Sequence, residues 1–247
     1  MTVFRLRPPL LRLLRRGLLL LCISLSATVM AEEKLLVVTE NSSWLSTIDK
    51  QGNVAGRNTQ LVKDILTRAG LKADFQVLPW ARAYRVAATR PNTLIYSIAR
   101  TDTRESQFLW LGQIGHMQRV FYRLNGETGI TPQSLEQVKN CCKVCVGNHD
   151  VQEEFLIKSG FAPGSQYITT NSQQECPRLL QSGAAQLLIA DPDQLRSQLL
   201  KLKLPEQQFQ PVFSMPQGDA LYLAANPASD PHIIQAITEA MRPQHAH

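Results

Sequence analysis

Leu35–Thr39 (LLVVT) places four apolar residues in a row and nothing charged. A strand with one face in water alternates apolar and polar side chains, so an unbroken run of this length suits a strand covered on both faces. The theme then repeats along the chain. Leu61, Val62, Ile65, Leu66 and Ala69 share one helical stripe across residues 58–69, and Gly70 stops it. Ala73, Phe75 and Val77 alternate as in a strand. Pro79 opens a helix at its first position, and residues 94–99 (LIYSIA) read as a buried strand. This β-α-β-α-β order predicts an α/β unit on a mostly parallel sheet, covered on both faces.

A second round follows. Residues 119–124 are strand-like, Ser134 and Gln137 make a capping box, and 143–147 is a strand. Asp150 and Glu153 cap a helix ending at Gly160. Residues 166–169 are a strand and 177–182 a helix before Gly183. Residues 186–190 are a buried strand running into Asp191-Pro192, a helix start. Further strands at 209–213 and 221–225 and a closing helix at Pro231–Met241 complete two α/β units, with no low-complexity linker between them.

Ahead of these units lies a different kind of segment. Arg5, Arg7, Arg12, Arg15 and Arg16 precede an apolar run, GLLLLCISL, with no acidic residue before Glu32. Such a run is shorter than the ~20 residues needed to cross a bilayer. Val29 and Ala31 then stand at the −3 and −1 positions of a small-residue cleavage site. The pattern predicts a signal peptide over residues 1–31, cleaved near Ala31, and an exported, periplasmic protein. Most of the formal charge of +6 resides there. Of 26 Lys plus Arg, five fall in the segment, leaving 21 basic against 20 acidic residues. So neutral a remainder offers no footprint for nucleic acid. At 44% hydrophobic residues the 247-residue chain is not disordered.

Cys141, Cys142, Cys145 and Cys176 remain beyond the leader. An exported chain permits disulfides, and four cysteines allow three complete pairings. Cys142-Lys-Val-Cys145 has redox-motif spacing but runs into a strand, where no helix N-terminus would activate a thiolate. Zinc would want a second pair. One structural disulfide joining Cys176 to Cys141, Cys142 or Cys145 is expected. No metal ion and no cofactor are expected either: the chain lacks phosphate-loop, dinucleotide and nucleophile-elbow motifs, and its histidines are scattered.

What stands out is a set of polar and aromatic residues at strand ends, where open α/β sheets bind ligands. These are Glu40, Trp44, Trp80, Ser97, Arg104, Asp150 and Asp191. Arg104 reads as a strand-end guanidinium near the surface. Asp150 and Asp191 each also suit a helix N-cap, and the two tryptophans suit either core or cleft wall.

Ser97-Ile-Ala-Arg-Thr-Asp-Thr-Arg104, followed by Phe108-Leu-Trp-Leu-Gly112, resembles the signature of the family 3 extracellular solute-binding proteins, which bind amino acids for ABC transporters. Gly52 and Gly56, Ser134-Leu135-Glu136, Val146, Gln152-Glu153, Gly183 and Asp191 agree in order, so the similarity runs from about residue 35 to 241. The resemblance implies an α/β, two-lobe, periplasmic-binding-protein-like (type II) fold with a ligand cleft between the lobes. Lobe 1 would comprise residues 32–118 and 215–247, and lobe 2 residues 119–214. It further implies that Arg104 pairs with a ligand α-carboxylate, Asp191 with the α-ammonium, and Trp80 and Trp44 with the side chain. Glu40 sits near a position that often holds a second acid, and Ser97 and Asp150 edge the same site. Two departures stand out: Ala99 replaces a common Ser or Thr, and His149-Asp150-Val151 replaces the usual Gly-Thr or Gly-Ser helix entry.

The implied role is capture of an amino acid or related carboxylate by hinge closure, by a monomer that hands its ligand to a membrane permease or a sensor. Two other readings stand beside it. One is an enzyme on the same scaffold, dehydratase-like, with Glu40, Asp150 or His149 as acid or base. The other is a sensing module that presents its closed form to a receptor.

Overall fold

The strands expected from the apolar runs form, and they collect into two separate five-stranded sheets. The structure is a computed structural model that describes residues 35–242 except 43, 128, 130, 216 and 217. The expected signal peptide, 1–31, lies outside the described residues. In chain order come β1 (Leu35–Thr39), the short hairpin of β2 (Thr47–Ile48) and β3 (Val54–Ala55), α1 (Arg57–Arg68), β4 (Ala73–Val77), α2 (Trp80–Thr89), β5 (Thr93–Ala99) and β6 (Leu109–Met117). The second sheet's segment holds β7 (Val120–Leu124), α3 (Leu135–Cys141), β8 (Val144–Gly147), α4 (Val151–Lys158), β9 (Tyr167–Thr170), α5 (Cys176–Gln181), β10 (Leu187–Ala190), α6 (Pro192–Leu202) and β11 (Phe209–Ser214). The chain then returns through β12 (Asp219–Ala225) and α7 (Pro231–Met241).

The first sheet has the order β4-β1-β5-β12-β6 and the second β11-β7-β10-β8-β9. β4, β1 and β5 are parallel, as the alternation of strands and helices suggested, and so are β10, β8 and β9; one reversed strand makes each sheet mixed. β12 runs antiparallel to both β5 and β6, and β7 runs antiparallel to both β10 and β11. The cause is connectivity. β12 re-enters the first sheet from the second lobe rather than through a crossover helix, so it arrives against its neighbours' direction.

The unbroken apolar runs are explained by helices on both faces. From β1, Leu35 and Val37 join Val62, Ile65 and Leu66 of α1 and Ile237 of α7. Leu36 and Val38 face the other way, onto Trp80, Ala83 and Ala87 of α2. β10 divides likewise: Leu188 and Ala190 meet Leu180 of α5 and Leu195 of α6, while Leu187 and Ile189 meet Val138 of α3 and Leu156 of α4. Each such buried aliphatic side chain contributes roughly 1.5–3 kcal/mol. α4 stops where the sequence placed the stop: Gly160 takes φ +75°, and Phe161 donates back to the Leu156 carbonyl at 3.0 Å, the left-handed helix end that glycine permits.

Where the chain passes between sheets, the two crossings lie close together. A side-chain carbon at Gly218 would fall 2.1 Å from the Met117 carbonyl oxygen. Arg119 pairs with Asp219 from one crossing to the other.

Cys176 does bond to the cysteine cluster, through Cys145, and ties β8 to α5 inside the second lobe's core. A second bond joins the neighbours Cys141 and Cys142. One disulfide was expected and two are present, the second between adjacent cysteines at the end of α3. The Cys145–Cys176 bond closes a separation of 31 residues and the other a separation of 1. Chain-entropy reasoning gives the longer loop about 3–4 kcal/mol and the shorter one little. Urea unfolding of C145A/C176A should show that loss, while C141S/C142S should unfold within ~1 kcal/mol of the parent. Equal losses would refute this division.

Candidate functional site

The carboxyl ends of β1, β5, β8 and β10 point into one cleft between the sheets, about 510 Å³ including its open mouth. Glu40, Trp44, Trp80, Ser97, Arg104, Asp150 and Asp191 all line it. What each is bonded to separates them.

Arg104 follows the turn after β5 and is 1% exposed, so the expected surface position is corrected: this guanidinium is buried. It lies 5.2 Å from the Trp80 ring centre and 5.5 Å from that of Tyr84. Nη1 donates to the Ala99 carbonyl at 3.4 Å, and Nη2 to the His149 carbonyl at 3.3 Å. Its charge is met by Glu154 of α4, from the other lobe. Thr101 and Thr103 donate their hydroxyls to the second Glu154 oxygen at 2.8 and 2.7 Å. The turn therefore receives a carboxylate, and the carboxylate belongs to the chain. Only Arg104 Nε is left unpaired.

Glu154 was not singled out from the sequence. A weak signal existed: it follows Asp150 by four residues, one helical turn along the same face. The facing backbone cooperates. His149 adopts φ +59°, and its carbonyl accepts from Trp80 Nε1 at 2.7 Å as well as from Arg104. A left-handed backbone at a non-glycine residue costs about 1–2 kcal/mol, so the surrounding contacts must hold it. Outside this latch, Asn41 accepts from Gln174 at 2.8 Å and from Lys201 at 3.0 Å, again across the lobes.

Asp191 has both carboxylate oxygens bonded. One oxygen accepts from the Asp193 and Gln194 backbone at 3.0 and 3.4 Å, and the other from Gln118 at 2.9 Å. It caps α6 and fastens the crossing segment while still edging the cleft. Asp150 caps α4 through Val151 at 2.5 Å. Ser97 takes φ +60° at the bulge where β5 meets β12, and its hydroxyl accepts from Asn58 at 2.9 Å. Trp44 lies beneath the Arg57 guanidinium at 5.6 Å, with its indole N–H buried and unpaired. Gln194, also missed from the sequence, is 8% exposed and lines the cleft with Oε1 unpaired.

Glu40 and Asp150 share the low-dielectric cleft. Burial pushes the Glu40 carboxyl up to about 8; the Asp150 charge adds to the rise and Arg104 opposes it. Burial also raises Asp150, against the pull of Arg104. Protonation of one relieves the other, the usual outcome for neighbouring carboxylates.

Among solved structures, a histidine kinase sensor domain with similarity to periplasmic binding proteins matches with TM-score 0.73 and 16% identity, over 84% of this chain and 88% of that one. The fold is the two-lobe, periplasmic-binding-protein-like one. An ancestral arginine-binding protein bound to arginine shares it at TM-score 0.68 and 17% identity, over 84% and 90% of the two chains. A periplasmic His/Glu/Gln/Arg/opine family-binding protein from Silicibacter pomeroyi, in complex with lysine, matches at 0.66 and 15%, over 84% and 88%. No family model matches the chain. No curated protein matches it in sequence.

Two outcomes follow for the binding-protein-like cleft. Removing the latch carboxylate leaves the Arg104 charge buried and unpaired. Glu154 itself is a quarter exposed, so Glu154→Ala should destabilise the closed form by about 3 kcal/mol, the low end for a broken buried pair. X-ray scattering should read a larger radius of gyration than in the parent; an unchanged radius would contradict the latch.

The second outcome concerns pH. A carboxyl whose folded value is raised stabilises the fold fully below its unfolded value, and that stability is lost as pH climbs to the folded value. Unfolding free energy should therefore fall between about pH 4.5 and 8 from Glu40, and Glu40→Gln should flatten the decline. A parent curve that is flat or rising across that window would refute the assignment.

Proposed function

We propose that this chain is an exported solute-binding protein that captures a small amino-acid-like or related solute in the cleft and closes its lobes over it. The observation that carries the reading is the set of contacts reaching from one lobe to the other around the cleft, Arg104 with Glu154 and Trp80 with the His149 carbonyl. Such contacts exist only when the lobes are together, and a ligand touching both lobes would add to them; that difference in affinity drives closure. The arginine and lysine carried by proteins of the same fold support a small amine-bearing solute. The basic and apolar leader, the −3/−1 residues at 29 and 31, and two disulfides support a periplasmic location.

We read the activity as reversible binding by a monomer, without cofactor or bond-making. The closed form would then be presented to a membrane permease. Presentation to a sensor is the second reading, favoured by the likeness to a kinase sensor domain. A thermal-shift screen of the chain from Glu32 onward against amino acids, amines and organic acids should find at least one stabilising solute. At ~100 times its dissociation constant it adds ~2.7 kcal/mol. It should be recovered chemically unchanged. Conversion of the solute, or no stabilisation by any class, would overturn the reading.

A further inference from the structure

We propose that the solute is an organic ammonium or guanidinium cation carrying no carboxylate, seated against Glu40, Asp150 and Gln194; this rests on the solute-binding reading above. Two places in the cleft are built to receive a carboxylate, and the chain's own acids fill both. At the first, Nη1 and Nη2 of Arg104 and the hydroxyls of Thr101 and Thr103 are all in use, three of these four groups on Glu154 or its bonded carbonyl neighbour His149. At the second, the start of α4, Asp150 takes the Val151 N–H and Glu153 takes the His149 N–H at 2.6 Å. Among the fully buried side-chain donors that line the cleft in the described residues, those without a partner are Arg104 Nε and Trp44 Nε1, one N–H each on separate elements. Bidentate carboxylate recognition needs a fork of two.

The unmet acceptors point the other way. Gln194 Oε1 lines the cleft, in a residue that is 8% exposed, and no donor reaches it. A buried acceptor of this kind costs free energy until an N–H arrives. Glu40 stands in the same cleft with no hydrogen bond to its carboxylate among the described residues, and Asp150, held by Val151 and Gln152, adds its charge beside it. An ammonium or guanidinium supplies the donors that Glu40 and Gln194 lack. A carboxylate on the solute would have to displace Glu154 and then sit among acids.

Calorimetry on matched pairs isolates the carboxylate: cadaverine against lysine, and agmatine against arginine. Each amine is its amino acid less CO₂. At pH 8 and low salt, at least one amine should bind tenfold or more tightly than its partner, and Glu40→Gln should weaken it tenfold or more. Amino acids binding as tightly as the amines would overturn the proposal while leaving solute binding intact. Binding of neither pair, with another solute from the broad screen bound, would do the same. Binding of nothing in any class would remove both.

Discussion

A buried guanidinium has to be paid for, and that constraint organises the cleft. Arg104 cannot shed its proton to escape burial, so the fold surrounds it with two ring faces, two carbonyls and one carboxylate. Three of those partners are local to the first lobe. Glu154 and the His149 carbonyl come from the second. The lobes thus meet where an arginine on one finds acceptors on the other, and the chain's own charges supply that contact. Such pairs add little net stability over an apolar contact, yet they are costly to break singly. That asymmetry favours a defined closed geometry.

The remaining acids obey the opposite constraint. Glu40 and Asp150 have no buried cation to themselves, so burial pushes protons onto both, and the Asp150 charge raises Glu40 further. Two glutamates near one arginine therefore differ: Glu154 is paired with Arg104, and Glu40, buried in the cleft, resists ionisation. Which acid is which was decided by placement, since the residue type is the same.

Much of the fold could be read from the sequence because its signals are local. Apolar runs gave β1 and β10, a stripe gave α1, and Asp150, Asp191 and Ser134 cap the helices their positions suggested. Strand direction is not local, so the mixed sheets were missed. Residues near strand ends could be gathered into one cleft because carboxyl ends share a side of a parallel pair. Their bonding could not be gathered. Arg104 and Glu154 lie 50 positions apart on different lobes, and no periodicity links them. Asp191 shows the converse, a residue whose local capping signal was strong and whose carboxylate the backbone fully occupies.

The backbone-to-backbone approach at Gly218 bears on how the lobes can move relative to each other. Side chains between two strands can change rotamer and let each strand bend by itself. Here the Met117 carbonyl faces a bare α-carbon, with the His116 ring closing in beside it. With Arg119 and Asp219 bridging the same place, neither crossing can twist without carrying the other. A residue larger than glycine at 218 would act as a wedge: it would press on the Met117 carbonyl and the His116 ring, both at the cleft, and force the two crossings apart.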